Sequence, residues 1–218
     1  MGQGFEITSF NGLNNYQNFT IIKGFAMDTY IPTREDAFAL LKKYNSKEGL
    51  IRHALCVEAV MGHFAKHFNE DEKKWRIIGL VHDLDYEQFP EEHCHKCVEL
   101  FKENNWPQDY IRAVISHGWG ICTDVKPETN LEKTLYAIDE LTGLVASAAL
   151  VRPSKSVLDI KAKSVKKKFK DKRFAAGVDR QVILNGAKFL GMDLSELITQ
   201  VILGMRPVAQ IIGLKGNL

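Results

Sequence analysis

All seven histidines of the 218-residue chain fall between His53 and His117, and its chemistry is expected to be concentrated there. His53 lies beside a stripe of Leu50, Ala54, Val57, Met61, Phe64 and Phe68, spaced by alternating fours and threes. His82-Asp83 ends a segment that places Trp75, Ile78 and His82 on one face. Asp139 sits next to a stripe of Leu131, Leu135, Ile138, Thr142, Val145 and Ala149. A carboxylate beside a buried face is costly unless something positive meets it, and a metal ion satisfies imidazole nitrogens and carboxylate oxygens together. Two His and two Asp suit a borderline divalent ion such as iron, manganese or zinc. Taken singly, each histidine also reads as a hydrogen-bonded core residue.

Other clusters compete for attention. His93-Cys94-His95-Lys96-Cys97 resembles a zinc ligand set, but a closed zinc site draws four ligands from two separated pairs, and Cys56 and Cys122 stand alone. The spacing therefore argues against a structural zinc. His63 and His67, at i and i+4, have no third ligand of evident position and read as polar-face residues. Trp106, Trp119 and Tyr136 could line a pocket, though at these spacings large aromatics suit the core. The four cysteines are too few to staple the chain and are expected to stay reduced.

The elements that must position these groups read as helices. With 45% hydrophobic and 26% charged residues, the chain can fill one full-sized core, which excludes a disordered, collagenous or disulfide-scaffold protein. There is no uncharged apolar run of about 18 residues and no basic or apolar leader at the start, so the expectation is a soluble, cytoplasmic protein with no membrane partner. Thr33 with Asp36 and Thr129 with Glu132 form capping-box patterns, Ser46 is placed to cap the helix carrying His53, and Asn69 with Glu72 to cap the next. Pro90 and Pro107 suit first helical positions of helices over 90–104 and 107–117, the latter stopped by Gly118. Further helices are expected near 179–190 and 194–212. No strand pattern, repeat or low-complexity linker emerges. The expected fold is a single all-α domain, with 1–31 unassigned, a helical core over 32–150, and a basic segment with C-terminal helices over 151–218 packing on the same domain.

Charge divides the chain unevenly. Residues 1–150 carry 15 Lys and Arg against 22 Asp and Glu, and residues 151–218 carry 14 against 5. Nine of the nineteen residues from Lys155 to Arg173 are basic. A local positive field attracts anionic partners, and Arg152, Lys155, Lys167 and Lys168 are candidates to clamp the non-reacting phosphates of a substrate. The same run also reads as a solvated helix face, or as a non-catalytic nucleic-acid or anion-binding module. Nucleic acid is the weaker partner, because no zinc-finger, RNA-recognition or helix-turn-helix signature is present and the acidic first part repels a polyanion.

In order and flanking residues, His53, His82-Asp83 and Asp139 resemble the signature of the HD-domain superfamily of metal-dependent phosphohydrolases, over about residues 50–145. The stretches His53-Ala54, Gly79-Leu80-Val81-His82-Asp83 and Ala137-Ile138-Asp139-Glu140 carry it. Asp83-Leu84-Asp85-Tyr86-Glu87, Asp139-Glu140-Leu141-Thr142-Gly143 and Arg152-Pro153-Ser154-Lys155 are similar to a bacterial group of uncharacterised HD-domain hydrolases. The resemblance implies an HD-like helical bundle in which His53, His82, Asp83 and Asp139 bind one divalent ion (Fe, Mn, Zn, Mg or Ni). Asp83 is a possible bridge to a second ion held by His93 and His117, with His95 the competitor of His93. It implies hydrolysis of a phosphoester or phosphoanhydride of a small phosphorylated molecule, foremost a nucleotide, by metal-activated water, with Asp83 and His82 the catalytic residues. An HD-type di-iron oxygenase uses the same ligand set and is the rival chemistry. Oligomeric state is not legible from amphipathic stripes.

Overall fold

The computed structural model describes residues 30–218, and the unassigned segment lies almost wholly outside them. The described residues form nine α-helices and no strand, only one isolated bridge between Trp119 and Thr123. These are α1 (Arg34–Tyr44), α2 (Glu48–Phe68), α3 (Glu72–Val81), α4 (Lys96–Glu103), α5 (Gln108–Ser116), α6 (Asn130–Leu150), α7 (Ala162–Lys170), α8 (Arg180–Leu190) and α9 (Leu194–Met205). No described helix is long and apolar enough to cross a membrane.

The two longest helices, α2 and α6, form the centre. Their stripes do what the spacing predicts: Ala54, Val57, Met61 and Phe64 of α2 and the full set from Leu131 to Ala149 on α6 are buried. Around them α2 packs on α3, α6 and α9, while α6 packs on α8 and α9. Ile160, Val165, Ile183, Leu197 and Ile212 belong to the same apolar cluster as Val57 and Ile138, so the basic C-terminal part folds onto the core built by the first helices. Glu58, buried on α2, is matched by Arg34 Nε at 2.6 Å and Arg76 Nη2 at 3.2 Å, which pins α1 and α3 to α2. Both capping boxes form, at Thr33–Asp36 and Thr129–Glu132.

Several expected boundaries are corrected. Ser46 does not cap α2, whose N-cap is Lys47 with no side-chain cap of its own. Instead the Glu87 carboxylate, from a distant turn, accepts the Ser46 amide at 2.8 Å, the Lys47 amide at 3.0 Å and the Ser46 hydroxyl at 2.8 Å. Those hydrogen bonds, that from the Lys47 amide foremost, hold the Glu87 carboxyl below its ordinary range. Glu87→Ala is expected to speed hydrogen exchange at the Ser46 and Lys47 amides selectively; unchanged exchange there would remove Glu87 from this role. Asn69 ends α2 in the left-handed conformation, and Asp71 caps α3 by accepting from Lys73 and Lys74. The helix expected over 90–104 breaks into a single 3-10 turn at Pro90–Glu92 and α4, because the His93 ring and the Cys97 amide are both held by a buried carboxylate described below. The C-terminal helix expected to reach 212 stops at Met205, ahead of a 3-10 turn that contains Pro207.

Candidate metal centre

Five helices bring their ends or faces to one place. His53 lies one turn inside α2, His82 caps the C-terminus of α3 with Asp83 next in the turn, and Asp139 sits mid-way along α6. His93 comes from the link before α4, and His117 caps the C-terminus of α5. His53, His82, Asp83 and Asp139 each point one ligand atom into a cluster whose atoms lie within 4.8 Å of one another. Asp83, His93 and His117 form a second such group. His53 Nε2 is 2.8 Å from Asp139 Oδ1, and His82 Nε2 lies 3.2 Å from Asp83 Oδ2 and 3.3 Å from Asp139 Oδ1.

Asp83 divides its two oxygens between the groups. Oδ2 faces His82 and His53, whereas Oδ1 is 3.5 Å from His93 Nε2 and 3.4 Å from His117 Nε2. The tautomers are set from behind. The Nδ1 atoms of His82 and His117 donate to the carbonyls of Gly79 (2.9 Å) and Val114 (2.5 Å), each three residues back. His93 Nδ1 donates to Asp85 Oδ1 at 2.8 Å. All three rings therefore aim Nε2 at the site, and loss of the proton there exposes the lone pair that a metal ligand requires.

Asp85 is a residue that reading the chain missed. Fully buried, it holds His93 with one oxygen and accepts the Cys97 amide at 2.8 Å with the other, which starts α4 and breaks the expected longer helix. The available signal was the Asp-Leu-Asp run, which puts a second carboxylate two residues after a ligand. His95 is exposed, so the fold selects His93 over its competitor. Asp85→Ala is expected to weaken a cation at the Asp83/His93/His117 group by about 10–100-fold, the usual cost of an outer partner. The His53 group should keep its affinity, and a Mn2+ titration that shows two unchanged classes of site would refute this.

The electrostatics fit a cation. His82 Nε2 is buried between the Asp83 and Asp139 carboxylates, 3.2 and 3.3 Å away, with no well-aligned hydrogen bond to either, which leaves it free to ligate a metal. Burial by itself would push His82 down, but the charges of Asp83 and then Asp139 raise it well above the ordinary imidazole value. Burial likewise opposes ionisation of Asp83 and Asp139, yet the His82 charge, acting together with the hydrogen-bonding approach of His82 and His117 to Asp83 and of His53 and His82 to Asp139, outweighs it, and both carboxyls fall below their usual range. A proton on His82 thus stands where a cation's charge would. The raised His82 value favours the metal-free fold below the unfolded value near ~6.5, a contribution lost as pH rises through the folded value. Metal must displace that proton, so its apparent affinity is expected to rise from about pH 6 to about pH 8 with proton release; pH-independent titrations in two buffers would contradict it. Glu140, beside Asp139, is pushed up to about 7 by burial and then by the Asp139 charge, which places its proton exchange near neutrality.

His53, Asp83, His93, His117, Asp139 and Glu140 line a cavity of about 370 Å³ together with Tyr86, Ile121, Gly177 and Val178, with His82 buried behind them. The structure does not bring the expected phosphate clamp to it. Arg152 pairs with Asp159 at 2.7 Å, Lys155 and Lys167 are exposed away from its lining, and Lys168 lies over the Phe174 ring at 4.5 Å. A different pair, Lys170 and Lys172, lines a second cleft of about 760 Å³ that shares Gly177 and Val178 with the cavity. Its wall is held by Arg180, whose guanidinium donates to the carbonyls of Phe169, Asp171, Phe174, Ala175 and Val178. Trp106 and Tyr136 are core residues, and Trp119 packs at a tilt against Tyr136 and Phe189 outside the cavity lining. His63 bonds Gln200 at 2.7 Å and His67 is exposed. Comparison of the chain with protein-family models, curated proteins and solved structures found no match.

Proposed function

We propose that the chain is a metal-dependent phosphohydrolase, cleaving a phosphoester or phosphoanhydride of a small phosphorylated molecule, foremost a nucleotide. The observation that carries this reading is Asp83, with one oxygen turned to His53 and His82 and the other to His93 and His117 at the floor of a cavity. The ordered set His53, His82-Asp83, Asp139, similar to the HD-domain signature, supports it from the sequence side.

His53, His82, Asp83 and Asp139 would hold one divalent ion, and Asp83, His93 and His117 a second. Such ions supply water acidified toward neutrality and neutralise charge on phosphoryl oxygens. The chain's own contribution is alignment and proton handling. The carbonyls of Gly79 and Val114 and the Asp85 carboxylate keep three imidazoles from rotating. Glu140, at the cavity wall beside Asp139, is placed to hand a proton to a departing group. Gly177 and Val178 line both the cavity and the cleft with Lys170 and Lys172, where non-reacting phosphates of a longer substrate would find positive charge.

The test is elemental mass spectrometry of the purified protein and its His82→Ala variant, followed by hydrolysis assays of the metal-loaded protein on p-nitrophenyl phosphate and nucleoside mono- and triphosphates. Metal lost in the variant and chelator-sensitive phosphate release are expected. Equal metal in both proteins would defeat the ligand assignment, and oxygen uptake by a reduced, iron-loaded sample without phosphate release would defeat the hydrolase.

A further inference from the structure

Cys94 and Cys122 stand 28 positions apart and read as unrelated in the sequence, yet the fold sets their sulfurs together against the metal centre. A tight turn does this. The Gly118 carbonyl accepts the amides of Ile121, Cys122 and Thr123, which folds Cys122 back over Gly118. Gly118 has to lack a side chain, since a Cβ there would overlap the sulfurs of both Cys122 and Cys94. On the other side Cys94 adopts a left-handed conformation (φ 66°), one that a side chain other than glycine, Asn or Asp takes up only at a cost. That strain aims a buried thiol at the same point, 3.9 Å from His117 Nε2.

His93, Cys94 and Cys122 each offer a ligand atom, and the three lie within 4.8 Å of one another. Zn–S bonds of about 2.3 Å and Zn–N bonds of about 2.0–2.1 Å make tetrahedral edges of roughly 3.8 Å between sulfurs and roughly 3.5 Å from sulfur to nitrogen. The group therefore has to contract by only about 1 Å to hold an ion. Cys122 and His93 line the cavity, which gives an entry path and a fourth position for water. Two thiols with one imidazole are soft ligands, unlike the carboxylate-rich group around Asp139.

We infer that His93, Cys94 and Cys122 form a separate site for a thiophilic divalent cation such as Zn2+ or Cd2+, and that this site competes with the Asp83/His93/His117 group for His93. The competition follows from the ring itself. With Nδ1–H given to Asp85, His93 has one lone pair, on Nε2, and can serve one cation at a time. A harder ion such as Mn2+ draws it toward Asp83, and a soft ion draws it toward sulfur. The competition rests on the reading of the Asp83 group as a metal position, whereas the sulfur site stands without it.

Anaerobic titration of the full, reduced chain with Co2+ distinguishes the two. Thiolate ligation adds a sulfur-to-cobalt charge-transfer band in the near ultraviolet, and nitrogen and oxygen ligation gives only weak visible bands. Wild type is expected to develop both features, C94S/C122S to lose the charge-transfer band and keep the visible ones, and D83N to keep the charge-transfer band. In wild type loaded with Mn2+, Cd2+ should release one equivalent of Mn2+ and protect Cys122 from alkylation, with no such release from C94S/C122S. Visible bands without charge transfer in wild type would overturn the sulfur site and leave the Asp83 reading intact. A charge-transfer band with no release of Mn2+ would overturn the competition. The wild-type alkylation measurement requires no variant to fold.

Discussion

Asp83→Ala is expected to abolish hydrolysis and to strip both metal positions at once. Between these two positions no other ligand is shared, so His53→Ala or Asp139→Ala should empty the first position and His117→Ala the second. Asp83 alone has an oxygen in each. The fall in affinity should exceed the roughly 10–100-fold that follows loss of an outer partner such as Asp85. Asp83 lies in a turn and is partly exposed, so the helices should survive, with far-ultraviolet circular dichroism unchanged. Metal content and turnover in the variant equal to those of the parent would sink the assignment. Loss confined to one equivalent would show that Asp83 does not bridge.

The second large effect is on stability. Gly186→Ala replaces a glycine where α8 crosses α6, and the added Cβ would overlap the Cα and Cβ of Ala137. Alanine gains about 1 kcal/mol of helix propensity over glycine. Here the obstacle is backbone, which cannot rotate aside, so the overlap should outweigh the gain by about 1–3 kcal/mol. For a chain of this size that is a melting-temperature fall of about 3–10 °C. Gly143→Ala, on the same α6 with open space around its Cβ, is the control and should gain up to about 1 kcal/mol. Ala137 is two residues from Asp139, so Gly186→Ala should also weaken metal binding at the first position. A neutral Gly186→Ala would show that the two helices part freely.

What could be read along the chain, and what could not, divides by range of interaction. The helices of α2 and α6 and the capping boxes at Thr33 and Thr129 were legible because spacing and caps act within a few residues. The ligand residues were legible because His and Asp beside apolar stripes require a partner, and the fold does gather His53, His82, Asp83 and Asp139. Long-range capture was not legible. Glu87 takes over the cap expected of Ser46 from 41 positions away, and Asp85 breaks a helix by taking both His93 and the Cys97 amide. The basic residues expected at the substrate failed for a related reason: charge density along the chain does not say where the fold places each side chain, and none of Arg152, Lys155, Lys167 and Lys168 lines the cavity. Cys122 was dismissed because no second cysteine is near it in sequence, and a turn over Gly118 supplied one in space.

The turn from His82 to Gln88 carries a carboxylate at every second residue, and each is committed to a different task. Asp83 faces both metal groups, Asp85 fixes His93, and Glu87 holds the start of the helix that bears His53. A single short backbone carries all three, so a backbone displacement of the turn moves them together. The turn should open as one cooperative unit. Escape of a bound cation, fraying of the first turn of α2 and release of His93 then become a single event with a single rate. A deletion of Leu84, by shifting Asp85 and Glu87 together against Asp83, would do more damage than any substitution among the three.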